Sequence, residues 1–351
     1  MMQFKTTTSA PGKLILIGEY AVLERAPAVV MAVNRTANVN VKSTDSASLV
    51  SAPGLNISNV PFEISDGHFR WLTENEKSQY QLRFFQAAVL EALRANKDAD
   101  LAGCQFTLDT SDFFSEDNSG LKFGFGSSAS LTYAIVAAVL KILEPNVAQS
   151  PQKLLPIASA AHYLAQKKLG SGIDVAAAAY GGLIEYQLPE SKNPVKANVQ
   201  RISWPNELYI CCVFSGKSVS TRELVTAVYQ LQKTNSDTFL KHMQQMTLQS
   251  MEAVEALKYE KTNRFIELVD AYGLSMQQLG ESAGVSIMSA EHRQLKQLAN
   301  KYGAAYKPSG AGGGDIGIAV SLSKRTIEQT AARFHEEGFL VIDLAPYYHE
   351  I

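Results

Sequence analysis

The amino-acid sequence predicts an α+β protein of two domains. Strand-like β-branched runs and amphipathic helical stretches interleave without a regular βαβ beat, the chain runs to 351 residues, and 46% of those residues are hydrophobic. That apolar fraction excludes a disordered chain, and 23 glycines with 12 prolines exclude a fibrous one. Lys and Arg total 32 against 34 Asp and Glu, a formal net charge of −2, so the basic excess of a nucleic-acid binder is missing. An acidic ligand must then be met by a few placed cations and backbone amides. Cys104, Cys211 and Cys212 are too few for a disulfide framework, and the six histidines show no metal-ligand spacing. A reduced, cytoplasmic setting is expected. The apolar run from Leu14 stops at Gly18-Glu19, and no stretch reaches 18 uninterrupted apolar residues. A soluble protein with no membrane partner is expected, as a monomer or homodimer.

Taken in order, Leu14 to Ile17, Ala28 to Val33 and Ala37 to Val41 are β-branched and predict strands. Ser78 to Asn96 has helical apolar spacing, Cys104 to Asp109 predicts a strand, and Ser128 to Leu143 a buried helix. Helices over Ala158 to Lys168 and Asp174 to Tyr180 precede a strand at Leu183 to Leu188. The polar, Pro-containing stretch from Pro189 to Asn198 predicts a linker, dividing the chain into residues 1–196 and 197–351. Beyond it the pattern gives a strand over Leu208 to Phe214 and amphipathic helices from Arg222 to Lys301. A strand (Asp315 to Leu322), a helix (Lys324 to Glu337) and a last strand (Phe339 to Leu344) follow.

The placement of glycine is more informative than its amount. Twelve glycines fall in three clusters, at Gly120 to Gly126, Gly170 to Gly182 and Gly310 to Gly317. Glycine serves where the backbone needs positive φ or must lie close to a ligand. Gly124-Phe125-Gly126-Ser127-Ser128-Ala129-Ser130 runs into a helix, so its amides and the positive end of the dipole suit a phosphate. The hydroxyls of Ser127 and Ser128 could meet phosphate or Mg²⁺, although a Ser N-cap would also explain them. The loop is neither a Walker A motif nor a Rossmann fingerprint. Gly310-Ala311-Gly312-Gly313-Gly314-Asp315 has almost no side-chain surface, so another backbone or a ligand can lie against it. Gly170-Ser171-Gly172-Ile173-Asp174 opens a helix of small residues, where Asp174 could simply complement the dipole. Pro11-Gly12-Lys13 and Gly18-Glu19-Tyr20 bracket an apolar strand with polar side chains.

Together these segments resemble the galactokinase, homoserine kinase, mevalonate kinase and phosphomevalonate kinase (GHMP) superfamily. Pro11-Gly12-Lys13 with Gly18 to Leu23, Gly124 to Ala129, and Ser309 to Asp315 occur in the family's order across most of the chain. The resemblance implies an N-terminal domain like domain 2 of ribosomal protein S5 and a ferredoxin-like C-terminal domain. It also implies ATP and Mg²⁺. Ala161-His162 to Ala178, Ser215 to Val225 and Lys307 to Asp315 look most like the phosphomevalonate kinase branch, with a phosphate as acceptor. Mevalonate kinases carry a metal-binding glutamate one helix upstream of Asp174, where this chain has His162, Tyr163 and Gln166.

Carried over residue by residue, the likeness implies Lys13 and Asp174 as a catalytic pair. Gly124, Gly126, Ser127, Ser128, Ala129 and Ser130 would hold the ATP phosphates with Gly312 and Gly313 packed against them, and Ser128 would ligate Mg²⁺. The carboxylate and phosphate of the acceptor fall to Ser171, Lys217, Ser220, Thr221, Arg222 and Lys307, and its hydroxyl to Tyr20. The alternatives are mevalonate or another small-molecule acceptor within the superfamily, and a non-catalytic metabolite sensor on the same fold.

Overall fold

The computed structural model describes residues 4–65, 67–96, 101, 103–115, 120–145, 150–168 and 170–349. The first three residues, the last two, and Leu169 of the Gln166 to Leu169 segment lie outside them. An eight-stranded sheet forms the first layer. Its spine is the pair β1 (Lys5–Ile17) and β2 (Ala28–Ser43), antiparallel from Lys5 opposite Lys42 to Ile17 opposite Val29. The two short runs expected over 28–41 are thus one strand, in which Asn34 and Arg35 form a bulge between Val33 opposite Gly12 and Thr36 opposite Pro11. β3 (Ser48–Ala52), β4 (Ile57–Ser65) and β5 (His68–Trp71) extend one side through β6 (Cys104–Asp109), and β3–β6 is a parallel pair. The other side carries β7 (Leu183–Gln187) and β8 (Asn198–Ile202).

Helices α1 (Glu76–Gln81), α2 (Arg83–Arg94), α3 (Ser127–Leu143), α4 (Pro151–Ala165) and α5 (Ile173–Tyr180) belong to this half. α2 to α5 share one core with Ala10 and Ile15 of β1 and Val30 of β2. The second sheet is antiparallel and four-stranded, in the order β10 (Ala305–Pro308), β11 (Ile316–Ser321), β9 (Tyr209–Phe214), β12 (Leu340–Ile342). It carries α6 (Thr221–Thr234), α7 (Ser236–Lys258), α8 (Thr262–Ala283), α9 (Ala290–Lys301) and α10 (Lys324–Glu336). The architecture is α+β.

Alternation along β1 decides how the halves meet. Ala10 and Ile15 face α2 to α5, whereas Leu14 and Leu16 join Met31, Phe214, Leu268, Tyr272 and Ile318 in a second core. β1 is buried on both faces and ties the two sheets into one apolar interior. The chain end returns to the first half: Asn34 donates to the Ala345 carbonyl (3.1 Å), Tyr347 to that of Ala32 (2.9 Å) and Gly182 to that of Tyr347 (2.6 Å).

Candidate functional site

Two helices start at one point. α3 and α5 begin after Gly126 (φ 80°) and Gly172 (φ 76°), each left-handed, and no side chain caps either helix. By contrast α4, α6, α9 and α10 are capped by Ser150, Ser220, Ser289 and Ser323. A Ser127 N-cap is therefore excluded, and both positive dipole ends stay open to an anion. The amides of Ala129 and Ser130 donate to the Gly126 carbonyl, and the Ser130 hydroxyl to that of Pro11 (2.7 Å). Ser130 thus staples α3 to β1 while the Ala129 amide closes the helix's own first turn, which corrects their expected role at the phosphates. The Ser127 and Ser128 amides have no partner among the described residues.

Close approach at Gly126 assembles the site. A Cβ there would lie 3.2 Å from Asp174 Cβ and 3.4 Å from Lys13 Cγ, so the loop sits between the two. Gly12 is equally confined, with the Phe125 carbonyl 2.8 Å from its would-be Cβ, and Lys13 N donates to that carbonyl (2.9 Å). The Lys13 ammonium donates to the Gly124 carbonyl at 3.2 Å, and no Lys13–Asp174 ion pair forms among the described residues. The expected direct pairing is thus replaced by two groups flanking one loop. Asp315, which sequence reasoning did not single out, faces Lys13 and Gly124. Its carboxylate lies 3.8 Å from the would-be Gly124 Cβ, and burial raises its pKa against the opposing bonds from Ser218 and Val219 and the Lys13 charge. A cleft of about 60 Å³ is lined by Lys13, Gly124, Thr221, Gly310 and Asp315, drawn from both halves.

His162 stands beside Ser128, with Nε2 3.2 Å from Oγ. Burial lowers its pKa, the Asp174 charge opposes that, and Arg83 reinforces it, so the ring is neutral at pH 7. Among the described residues no three acidic, His or Cys side chains cluster as a metal site. A neutral imidazole and a serine suit an ion that arrives with its nucleotide, since Mg²⁺ keeps waters and phosphate ligands and takes few from protein. Arg83 and Lys122 also border this end: the Lys122 pKa falls first through burial and then through Arg83. Neither has an acidic partner within ion-pair distance among the described residues. A cation pair with no acid is a signal that sequence spacing, 39 positions apart, does not give.

The structure corrects further expectations. Lys307 is fully buried and ion-paired with Glu19, whose carboxylate also accepts from Gly310 N (3.2 Å). It cannot reach an acceptor. Burial lowers its pKa while Glu19 opposes the shift. The Tyr20 hydroxyl donates to the Ala311 carbonyl (2.5 Å), and Ser309 exchanges bonds with the Ile15 backbone (3.1 and 2.9 Å). Tyr20, Glu19, Lys307 and Ser309 therefore fasten the glycine loop to the end of β1. Gly313 N donates to the Ile287 carbonyl (2.7 Å), and a Cβ on Gly312 would meet that carbonyl at 2.6 Å. The α-carbons of these glycines press on residues 286–287, Val219 and Leu224, while Gly312 also borders the cleft that Gly124 and Phe125 line. Lys217 is ion-paired with Glu291, Ser220 caps α6, and the Ser171 carbonyl accepts from Tyr186. Thr221 borders the cleft, and Arg222 is exposed.

Residues 86–182 match the profile of the GHMP kinases N terminal domain. Over its length the chain is 30% identical to a phosphomevalonate kinase of Streptomyces sp. (strain CL190), covering 96% of both. It is 26% identical to that of Saccharolobus solfataricus (96% and 95%) and 25% identical to a mevalonate kinase of Thermococcus onnurineus (97% and 100%). In fold it resembles the Lin0012 protein of Listeria innocua, with a TM-score of 0.85, 24% identity and 98% of both chains covered. It also resembles Streptococcus pneumoniae phosphomevalonate kinase in complex with phosphomevalonate and AMPPNP, with a TM-score of 0.76, 21% identity, and 99% and 100% covered.

Proposed function

The chain belongs to the GHMP kinase family, and on that footing we propose that it transfers the γ-phosphate of ATP to 5-phosphomevalonate, giving 5-diphosphomevalonate and ADP. It is an ATP-using kinase. The observation that carries the acceptor is the 30% identity to a phosphomevalonate kinase across 96% of both chains. Ser128 beside a neutral His162, in place of an acid, agrees with it.

Phosphoryl transfer needs positioning and charge neutralisation more than covalent chemistry. The open N-termini of α3 and α5 and the amides of Ser127 and Ser128 face the ATP phosphates. Lys13, held against Gly124, sits where charge passes between donor and acceptor. Mg²⁺, held by the nucleotide and Ser128, supplies charge neutralisation when bound. A phosphate monoester has a second pKa near ~6, so most of the acceptor is dianionic at pH 7 and needs little help to lose a proton. Asp174 then acts by orienting the site around Lys13 and tempering its charge. Arg83 and Lys122 offer the positive charge that Lys307 does not. Thr221 and Arg222 remain the acceptor contacts at the cleft mouth.

We assign residues 1–196 to the nucleotide-binding domain and 197–351 to its partner, and place the enzyme in the cytoplasm as a monomer or homodimer. No helix among the described residues is long and apolar enough to cross a membrane, and Cys104, Cys211 and Cys212 are buried with no disulfide among them. The test is ATP consumption with mevalonate, 5-phosphomevalonate, diphosphomevalonate and galactose. Turnover should be fastest with 5-phosphomevalonate; faster turnover of mevalonate assigns the chain to the mevalonate kinases instead.

A further inference from the structure

A cavity of about 650 Å³ lies at the far ends of α3 and α5, away from the phosphate loop. Its size falls within the range of small-molecule sites, roughly 300–1,000 Å³. One wall is a stripe of α3, Tyr133, Ala137 and Lys141, spaced four residues apart on a single face. The others come from the start of α4, β1, the β7–β8 pair and the returning chain end. None of its lining residues is among those placed at the phosphates. Helix rise puts Lys141 about 20 Å along α3 from Ser128.

The last two glycines of the Gly170 to Gly182 cluster find their use here. Gly181 and Gly182 both have positive φ (64° and 63°), and a Cβ on them would meet the Tyr347 carbonyl at 3.0 Å and the Tyr348 ring at 2.8 Å. They let the chain end lie flat, and the His349 Nε2–H then donates to the Ala178 carbonyl (2.9 Å). The chain end thereby becomes a wall.

What the walls offer is consistent. Tyr133 is only 5% exposed, yet its hydroxyl makes no hydrogen bond among the described residues, and it lines the cavity. A phenol that opens on a cavity can donate to whatever occupies it. Arg201 is held by two bonds to the Tyr180 carbonyl (3.2 and 2.8 Å), which leaves Nη1 available, and it lies close enough to His349 to lower that ring's pKa after burial has done so. Lys141 is exposed at the rim. Among the described residues no Asp or Glu lines the cavity, and neither Lys141 nor Arg201 has an acidic partner within ion-pair distance. Ala137, Leu154, Leu183 and Ile202 supply an apolar floor.

We propose that this cavity is a second ligand site, which takes a small anionic molecule with an apolar chain. The acid group sits at Arg201 and Lys141 with Tyr133 donating to it, and the chain lies on the Leu154–Ile202 floor. The inference stands apart from the acceptor's identity, because it is read by binding with the first site filled.

The experiment is calorimetric titration of the whole protein, saturated with AMPPNP, Mg²⁺ and 5-phosphomevalonate, with hexyl phosphate, hexanoate and hexanol as probes. Saturable one-site binding of hexyl phosphate or hexanoate with Kd below about 1 mM is expected, and the stronger of the two identifies the acid group. Tyr133→Phe should weaken it about 5-fold, and Arg201→Gln and Lys141→Gln each by about 10-fold. Ala137→Phe, which fills the floor, should abolish it while kcat is retained. Arg201→Gln could disturb Tyr180, so Lys141→Gln, on an exposed side chain, serves as the independent charge variant. Absence of saturation, equal affinity for hexanol, loss of binding when the first site is filled, or unchanged affinity in Ala137→Phe overturns the proposal.

Discussion

Lys307→Met separates a structural lysine from a substrate-binding one. In the structure its ammonium is wholly buried and paired with Glu19, which also receives Gly310 N. Removing one partner of a buried pair leaves the other charge uncompensated, a loss of about 3–5 kcal/mol. The unfolding entropy of roughly 2.1 cal/mol/K per residue over 351 residues gives ~0.7 kcal/mol per degree. The midpoint should therefore fall by about 4–7 °C. Glu19→Gln keeps an acceptor for Gly310 N while removing the stranded charge. The double variant Glu19→Gln/Lys307→Met should thus recover at least half of the loss, since uncharged replacements of buried pairs are often neutral. Calorimetry gives the midpoints, and steady-state kinetics on the folded protein gives KM for 5-phosphomevalonate. A midpoint unchanged within 1–2 °C (about 1 kcal/mol on the same scale), with KM raised 100-fold or more (about 2.7 kcal/mol), would show that Lys307 meets the acceptor and that the buried pairing is wrong.

Three further outcomes follow from the same geometry. Lys13→Met should lower kcat by about 10³-fold, and Asp174→Asn by under about 10²-fold, because a dianionic acceptor needs charge neutralised more than a proton removed; rapid-quench turnover of both variants decides it, and a dead Asp174→Asn beside an active Lys13→Met sinks the account. Gly126→Ala should cost about 1–2 kcal/mol through its positive φ and also raise KM for ATP, because the new methyl presses on Asp174 and Lys13. Gly313→Ala, with φ 77° and Leu224 Cδ1 at 3.0 Å, should lose similar stability yet keep that KM; equal KM effects would place both glycines at the nucleotide. His292 has its pKa lowered to about 4, chiefly by burial, while its ring bonds Tyr306 (2.8 Å) and the Gly314 carbonyl (3.0 Å). The unfolded chain then binds the extra proton first, so its contribution is intact above ~6.5 and is lost as pH falls from there to about 4, by about 3 kcal/mol. Urea unfolding across that window should show the fall, and His292→Gln should flatten it.

The legible part of this protein was its local chemistry. A glycine run entering an apolar helix, or an acid one residue into a helix of alanines, is a statement about neighbouring residues, and both landed at the point where α3 and α5 start. β3, β4 and β5 escaped because their residue types do not follow their burial: β3 alternates in burial but puts Ser48 inside and Leu49 half out, β4 mixes Asn59, Pro61 and Glu63 with its apolar residues, and β5 is a four-residue edge strand. β8 lies at the end of the stretch that composition marks as linker, and the sheet's last place makes it a strand. The Lys307 error has the same origin. Lysine beside a glycine loop suggests a phosphate, and only the fold brings Glu19 to it across 288 positions. Glycine itself proved ambiguous: Gly126 makes room for Asp174 and Lys13, whereas Gly312 and Gly313 make room for Ile287 and Leu224.

Withdrawing Lys307 from the site changes where its positive charge must come from. ATP and a phosphorylated acceptor bring several negative charges together, and a chain of net charge −2 has no global field to oppose them. Side-chain cations alone fall short, since Lys217 already has Glu291 and Lys13 faces Asp315. On the proposed function the balance would rest on dipoles that cannot be neutralised by rotation of a side chain: two helix N-termini opened by glycine that start beside one another. Fixed dipoles do not reorganise as charge moves between phosphates, which is the condition for stabilising a transition state better than a ground state. On the proposed function, Arg83 and Lys122, whose proximity adds to burial in lowering the Lys122 pKa, would add side-chain charge to those dipoles.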